Sequence, residues 1–144
     1  LAKIIGATHT INASNQDPKR IITEILGENK LNVFVDNTGI PSIIEMGYEI
    51  TDIQGRVILV GVPRIGNNIN LFSLPLHFGK TILGSHGGEI KPELDILRYL
   101  NLIEQKKIDL ELLISKFCKL QDINIAITEL KEGKIPGRVM ISFN

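Results

Sequence analysis

The sequence predicts an α/β protein with a parallel sheet over about the first 86 residues, followed by α+β material that need not join that sheet. Three observations predict this fold class. Short β-branched runs alternate with segments of helical periodicity, the pattern of β-α units with parallel strands. The run Val57–Val60 in "QGRVILVGVP" is apolar at every position, as expected of a strand buried on both faces. Gly and Pro stand at the segment boundaries, where they end strands and begin helices.

The first β-α unit is predicted over residues 8–27. "THTIN", Thr8–Asn12, is a short β-prone run. Asp17 precedes Pro18 as an N-cap with Pro at the first helical position, so a helix is predicted to about Gly27. Its apolar residues recur at one-turn spacing and form a stripe that is expected to lie on a sheet. They are Ile21, Ile22, Ile25 and Leu26.

The next segments repeat this logic. "NVFVDNTG", Asn32–Gly39, is a predicted strand that turns polar at its carboxyl end, and Pro41 opens a helix that runs to Ile50. "GRVILVGVP", Gly55–Pro63, is a predicted strand that follows a Gly turn. "KTILGSHGG", Lys80–Gly88, is a further strand ending in Gly, Ser and His.

The pattern changes from Pro92 onward, where apolar residues follow a helical period. "LLISKFCKL", Leu112–Leu120, is compatible with a returning strand or a turn. Gln121–Gly133 is predicted as an amphipathic helix with Gly133 placed like a C-terminal cap. "GRVMISF", Gly137–Phe143, closes the chain as a strand.

The ends of successive parallel strands meet at one edge of a sheet, where the ligand-binding loops of α/β proteins converge. Those ends are Asn37, Thr38 and Gly39; Val60, Gly61 and Val62; and Ser85 and His86. Gly39 and Gly61 could let a ligand ring approach the backbone, or could simply make tight turns. The three ends together predict a ligand crevice.

Three polar residues near strand ends leave alternatives open. Asp36 could bond a ribose hydroxyl or a neighbouring side chain, or cap the next helix. His86 could contact a ligand, act as an acid or base, or be an ordinary loop residue. Arg138 begins the last strand; its guanidinium suits a pyrophosphate, a carboxylate or solvent.

Composition excludes several classes of protein. Sixteen Lys and Arg balance sixteen Asp and Glu without a basic run, which argues against a nucleic-acid partner. No apolar run reaches the roughly 18 residues that a membrane helix needs, and no membrane partner is predicted. The single cysteine, Cys118, fits a cytoplasmic protein and shares no metal-ligand spacing with His9, His77 or His86, so no metal site is predicted. The sequence contains no G-x-G-x-x-G, P-loop or G-x-S-x-G motif, and no catalytic residue is assigned.

Five segments in order resemble the medium-chain dehydrogenase/reductase family, and more closely its zinc-dependent alcohol dehydrogenase branch. They are "AKIIGATHTIN", "VFVDNTG", "GRVILVGVP", "ILGSHGG" and "INIAITELKEGKIPGRVMISF". The resemblance implies a partial Rossmann-type parallel sheet, the third to sixth strands of six, in residues 1–86. Residues 87–144 would be the C-terminal segment of the catalytic domain. The first two strands, the phosphate loop and the zinc ligands would lie outside this chain.

The resemblance also implies roles for the strand ends. Asn37–Gly39 matches the segment flanking the adenosine and nicotinamide riboses, and Val60–Val62 matches the segment that packs against the nicotinamide ring. Ser85–His86 matches the strand end that hydrogen-bonds the carboxamide, although "GSHGG" is one residue shorter than in some members. Arg138 matches the Arg that approaches the pyrophosphate.

The resulting expectation is the coenzyme-contacting C-terminal part of a zinc-dependent, NAD- or NADP-linked dehydrogenase of small alcohols or polyols, inert as this chain alone. The alternative is a non-catalytic α/β module for nucleotide binding or oligomerisation. By resemblance, the strand Lys80–His86 is the candidate interface of a homo-oligomer, because its exposed edge would otherwise invite uncontrolled pairing. With two strands missing, we expect Thr8–Asn12 to pair with the strand of Val33–Asp36 or with another chain.

Overall fold

The computed structural model describes residues 1–143, and they form two compact units. One is Ile11–Ile90, and the other combines Leu1–Thr10 with the chain from Lys91 onward. The strands are parallel and alternate with helices, which confirms the predicted α/β class. The elements are α1 (Pro18–Leu26), β1 (Leu31–Asp36), α2 (Pro41–Ile50), β2 (Thr51–Leu59), β3 (Thr81–Gly84), α3 (Pro92–Glu104), β4 (Ile114–Lys119), α4 (Ile123–Lys131) and β5 (Arg138–Ser142), with short 3₁₀ turns at Leu74–Phe78, Gly87–Glu89, Glu111–Leu113 and Leu120–Asp122.

The unit Ile11–Ile90 is built on a parallel sheet in the order β1-β2-β3. Its buried apolar side chains come from α2 and from the middle of β2; they are Ile44, Tyr48, Ile50 and Val57. Gly47 lets α2 lie directly on β1, because a Cβ at this position would stand 2.1 Å from the ring of Phe34. The sheet therefore has one well-covered face, under α2.

Helix α1 begins and ends where the sequence predicts. The Asp17 side chain accepts hydrogen bonds from the amides of Lys19 (3.0 Å) and Arg20 (3.4 Å), and Gly27 closes the helix with φ 61°. The expected burial of its apolar stripe against a sheet is wrong, since α1 contains no buried residue. A salt bridge of 2.6 Å between Lys19 and Glu49 links α1 to α2 instead.

The strand predicted over Thr8–Asn12 is not formed. Thr8–Thr10 cluster with the chain from Lys91 onward, whereas Ile11 and Asn12 cluster with the three-stranded sheet. A β-prone run becomes a strand only when a neighbouring strand supplies hydrogen-bond partners, and here the run is divided between two units. The expected pairing with the strand of Val33–Asp36 is therefore wrong.

Strand β2 starts and ends four residues earlier than predicted, because it begins at Thr51 directly after α2 and ends at Leu59. Gly55, predicted as a turn, lies inside the strand where the β1–β2 register is irregular. A Cβ on Gly55 would stand 2.4 Å from the Thr51 methyl group and 3.0 Å from the carbonyl oxygens of Leu31 and Asn32. This glycine thus permits close approach of two strands, which is one of the recurring uses of Gly in strands.

The chain from Lys91 onward contains a second parallel sheet, β4-β5, whose strands flank α4. The segment Leu112–Leu120, left open between strand and turn, supplies β4. Gly133 follows the end of α4 with φ 69°, and the amide of Lys134 donates to the carbonyl of Glu129 at 2.9 Å. This is the glycine-capped helix end that the sequence predicts.

Candidate functional site

The carboxyl ends of β1, β2 and β3 lie side by side, as predicted. Asp36 pairs in register with Leu59, and Leu59 with Gly84. Beyond the strands, the amides of Val60 and Gly61 donate to the carbonyl of Asp36 at 2.8 and 3.0 Å. The amide of Ser85 donates to the carbonyl of Leu59 at 2.8 Å. These bonds extend the sheet by one residue and hold the three predicted strand ends at one edge.

Asp36 has its side chain in the protein interior, with 1% of its surface exposed. Its carboxylate accepts three hydrogen bonds, from the Thr38 hydroxyl (2.6 Å), the Thr38 amide (3.0 Å) and the Gly39 amide (2.9 Å). Burial alone would raise the pKa of Asp36, but these donors outweigh it and leave the pKa below its ordinary value. Of the three alternatives from sequence, the structure shows Asp36 bonding a neighbouring side chain, Thr38, and in addition two amides of the loop that follows it.

Gly39 and Gly61 bring the two neighbouring loops into backbone contact. A Cβ on Gly61 would stand 2.3 Å from the amide nitrogen of Gly39 and 2.4 Å from that of Thr38. A Cβ on Gly39, whose φ is 67°, would stand 2.7 Å from the carbonyl group of Val62. Neither of the uses considered from sequence, ligand approach or a tight turn, includes this packing of loop on loop.

A shallow cavity of about 390 Å³ opens between the ends of β2 and β3. It lies within the size range of small-molecule sites. The Val62 side chain is 90% exposed. The cavity is lined by Leu59, Val60, Gly61, Val62, Pro63, Gly84, Ser85, His86 and Glu89.

Eight of the nine predicted site residues thus belong to one edge of the sheet, five of them in the cavity lining. Asn37, Thr38 and Gly39 are joined to it through Asp36. Arg138 begins β5 and belongs to the other unit. Sequence analysis missed Glu89, which lines the cavity with φ 56°. No sequence signal marks a glutamate for this left-handed conformation, which non-glycine residues seldom adopt.

At the opposite end of the sheet, Lys80 departs from expectation. It was predicted within an exposed edge strand, but only 5% of the residue is exposed. Its ammonium donates to the carbonyl of Tyr48 at 2.7 Å and lies 4.4 Å from the centre of the Tyr48 ring. Burial lowers the pKa of Lys80, and nearby Asp52 only partly offsets this. Strand β3 itself does lie at the edge of the sheet.

Residues 1–143 contain neither a candidate membrane span nor a candidate metal-binding cluster. No helix in this range is both long and apolar enough to cross a membrane. No group of three or more His, Cys, Asp or Glu in this range is arranged to hold a metal ion.

Comparison with known proteins identifies the family. The family model described as "Zinc-binding dehydrogenase" matches residues 1–105. This chain belongs to the zinc-binding dehydrogenase family, an alcohol dehydrogenase-like group of oxidoreductases. The resemblance noted in the sequence is thereby confirmed.

Individual relatives agree with this assignment. The chain is 25% identical over 142 residues to the L-threonine 3-dehydrogenase of Bacillus velezensis, covering 98% of this chain and 40% of the relative. It is 27% identical over 145 residues to the NAD-dependent alcohol dehydrogenase of Saccharolobus solfataricus, covering 97% and 39%. The crystal structure of benzyl alcohol dehydrogenase from Acinetobacter calcoaceticus superposes with a TM-score of 0.84 at 33% identity, covering 98% and 39%. The chain thus spans about 40% of the length of these relatives.

Proposed function

We propose that this chain is the coenzyme-contacting C-terminal part of a zinc-dependent, NAD- or NADP-linked dehydrogenase of small alcohols or polyols. The observation that carries the proposal is the crevice at the carboxyl ends of three parallel strands, in a chain of the zinc-binding dehydrogenase family. In open α/β sheets this edge is where coenzymes bind. A relative that covers most of this chain is named as NAD-dependent.

We assign a different part of the coenzyme to each strand end. The exposed side chains of Val60 and Val62 offer an apolar surface for a planar nicotinamide ring. Ser85 and His86 would hydrogen-bond the carboxamide, and Asn37–Gly39 would flank the riboses. Arg138 would approach the pyrophosphate as a charged, bidentate donor. When bound, the coenzyme supplies the hydride acceptor or donor, while these residues bind and orient it.

The remaining chemistry would come from polypeptide outside this chain. The described residues hold no zinc donor set, and the sequence has no G-x-G-x-x-G loop. We therefore propose that the chain alone is catalytically inert.

We further propose that residues 1–86 belong to the coenzyme domain and residues 87–144 to the catalytic domain, within a cytoplasmic enzyme. The open edge of β3 supports homo-oligomerisation through Lys80–His86, because an unpaired edge strand offers hydrogen bonds to a second copy. Sedimentation of the chain at several concentrations tests this pairing. A monomer throughout would contradict it.

The coenzyme proposal is tested by titrating NADH into the isotope-labelled chain and following backbone amides by NMR. We expect saturable shifts at the three strand ends, with a dissociation constant near the millimolar range because the phosphate loop is absent. Unchanged amides at the strand ends would contradict the proposal and favour a non-catalytic module for oligomerisation. Nanomolar affinity would contradict the requirement for a phosphate loop. An alcohol oxidation assay with NAD⁺ should give no turnover.

A further inference from the structure

Both loops of the candidate site are hydrogen-bonded to Asp36, and the Asp36 side chain is too deeply buried to contact a ligand. Its side chain is 1% exposed, and within residues 1–143 no ion pair reaches it. A buried carboxylate without a cation is costly unless hydrogen-bond donors compensate it. Its compensation comes from Thr38 and Gly39, two residues of the loop that follows β1.

The same residue also fixes the loop after β2. The Asp36 carbonyl accepts the amides of Val60 and Gly61. With the side chain holding one loop and the main chain holding the other, Asp36 determines the separation at which Gly39 and Gly61 meet. That separation leaves no room for a methyl group on either glycine.

Thr38 links Asp36 to the start of α2 through hydrogen bonds. Its hydroxyl donates to Asp36 and accepts the amide of Ile40 at 3.1 Å. Ile40 is the N-cap of α2 and its side chain makes no capping bond; the Thr38 hydroxyl instead satisfies the amide of Ile40 itself, which has no acceptor within the helix. The single proton of the Thr38 hydroxyl is committed to Asp36, which leaves that hydroxyl able only to accept from a ligand.

We propose that Asp36 is a positioning residue for coenzyme binding: it touches no coenzyme atom, and its buried carboxylate sets the Asn37–Gly39 and Val60–Val62 loops in binding geometry. The inference rests on the proposed coenzyme function. Preorganised loops bind with less loss of conformational entropy, so releasing them should weaken binding even where the fold persists.

The test uses the 144-residue chain and NADH, followed by amide shifts. Asp36→Asn replaces one acceptor oxygen with an NH₂ group that must face an amide or hydroxyl donor. Thr38→Val removes the hydroxyl's hydrogen bonds to Asp36 and from the Ile40 amide but keeps the side-chain shape, so it remains informative if Asp36→Asn does not fold. Thr38→Ser restores the hydroxyl. Asp52→Asn is the matched control, since the Asp52 carboxylate also accepts a backbone amide two residues further on, from Gln54 at 2.9 Å, but lies at the start of β2.

We expect Asp36→Asn and Thr38→Val to weaken NADH binding at least tenfold and Thr38→Ser to recover most of the affinity that Thr38→Val loses, while Asp52→Asn stays within twofold of the unmodified chain. Faster hydrogen exchange at Gly39 and Gly61 should accompany the loss. A folded Thr38→Val or Asp36→Asn chain that binds NADH with unchanged affinity would overturn the inference and leave the coenzyme proposal standing. Absence of NADH binding by the unmodified chain would overturn both.

Discussion

The two ends of the three-stranded sheet each bury a charge, and they stabilise it by different means. At the carboxyl end, Asp36 is surrounded by amide and hydroxyl donors of the loop that follows it. At the amino end, the Lys80 ammonium donates to the carbonyl of Tyr48 in the last turn of α2 and lies by the Tyr48 ring. Neither charge is compensated by a close ion pair among residues 1–143.

Helix α2 connects the two buried charges. Its first turn follows the loop that Asp36 holds, and its last turn supplies the carbonyl that Lys80 caps. A helix carries partial positive charge at its N-terminus and partial negative charge at its C-terminus, so a carboxylate and an ammonium placed in this order are both favourable. The two buried charges differ in their partners. At the carboxyl end of the sheet, loop donors stabilise Asp36 and so fix the loops of the candidate binding site. At the amino end, a helix carbonyl stabilises Lys80 and so fixes how α2 packs.

The largest expected effect is at the carboxyl end, from Gly61→Ala. The new methyl group would overlap the backbone of Gly39 and Thr38, which cannot move without breaking the Asp36 bonds. Overpacking of this kind should lower the free energy of unfolding by about 3 kcal/mol. Urea denaturation measures it. Gly84→Ala, where a Cβ has no heavy atom within 4 Å, is the control and should change stability by less than about 0.5 kcal/mol. Equal effects would show that the loop contact is unimportant.

A substitution at the amino end of the sheet, Lys80→Met, should lower the free energy of unfolding by less. This substitution removes the donor to the Tyr48 carbonyl but also relieves the burial of an ammonium, so the net loss should be about 1–2 kcal/mol. Lys30→Met changes the same charge on an exposed residue at this end of the sheet and should be near neutral. Midpoints of urea unfolding compare the two. A gain in stability for Lys80→Met would mean that desolvation outweighs the hydrogen bond.

The two buried charges should also titrate on opposite sides of neutrality. Because the pKa of Asp36 is lowered on folding, it stabilises the fold above its ordinary value of 3.8, and that stability is lost as the pH falls below this value. Because the pKa of Lys80 is also lowered, the unfolded chain binds its proton more tightly, so stability rises as the pH rises toward 10.5. Unfolding free energies from pH 3 to 10.5 test both slopes. Asp36→Asn should flatten only the acid slope and Lys80→Met only the alkaline one; the opposite pattern would refute the assignment.

The smallest effect is expected from the exposed ion pair at the amino end. Lys19 and Glu49 keep 46% and 64% of their side-chain surface exposed at 2.6 Å separation. Exposed pairs contribute little, and Glu49 lies near the unfavourable C-terminal end of the α2 dipole. Lys19→Met should therefore change stability by less than about 0.5 kcal/mol. Its effect should vanish in 1 M salt, and a loss above 1 kcal/mol would indicate that α1 depends on this contact.

Much of this architecture could be predicted from the sequence, because its signals act within a few residues. Asp17 with Pro18 and Gly133 place helix ends through local hydrogen bonds and local φ angles. The apolar run Val57–Val60 and the polar residues after each strand predict parallel strands and a shared edge. The local nature of these signals also explains two of the predictions that were wrong. Thr8–Asn12 has β-prone residues, but no strand lies beside it to pair with. The sequence around Gly55 is compatible with a turn, and only the close approach of β1 shows why a glycine is needed inside the strand.

The sequence by itself determined the α/β class, the order of strands and helices from Pro18 to Gly84 and the residues at the three strand ends. Only the tertiary structure decided what those residues contact. That Gly61 lies against Gly39 and that Lys80 turns inward to Tyr48 both depend on segments tens of residues apart meeting at ångström separations. Backbone propensity is set by near neighbours, whereas burial and hydrogen-bond partners are set by whichever distant segments the fold brings together.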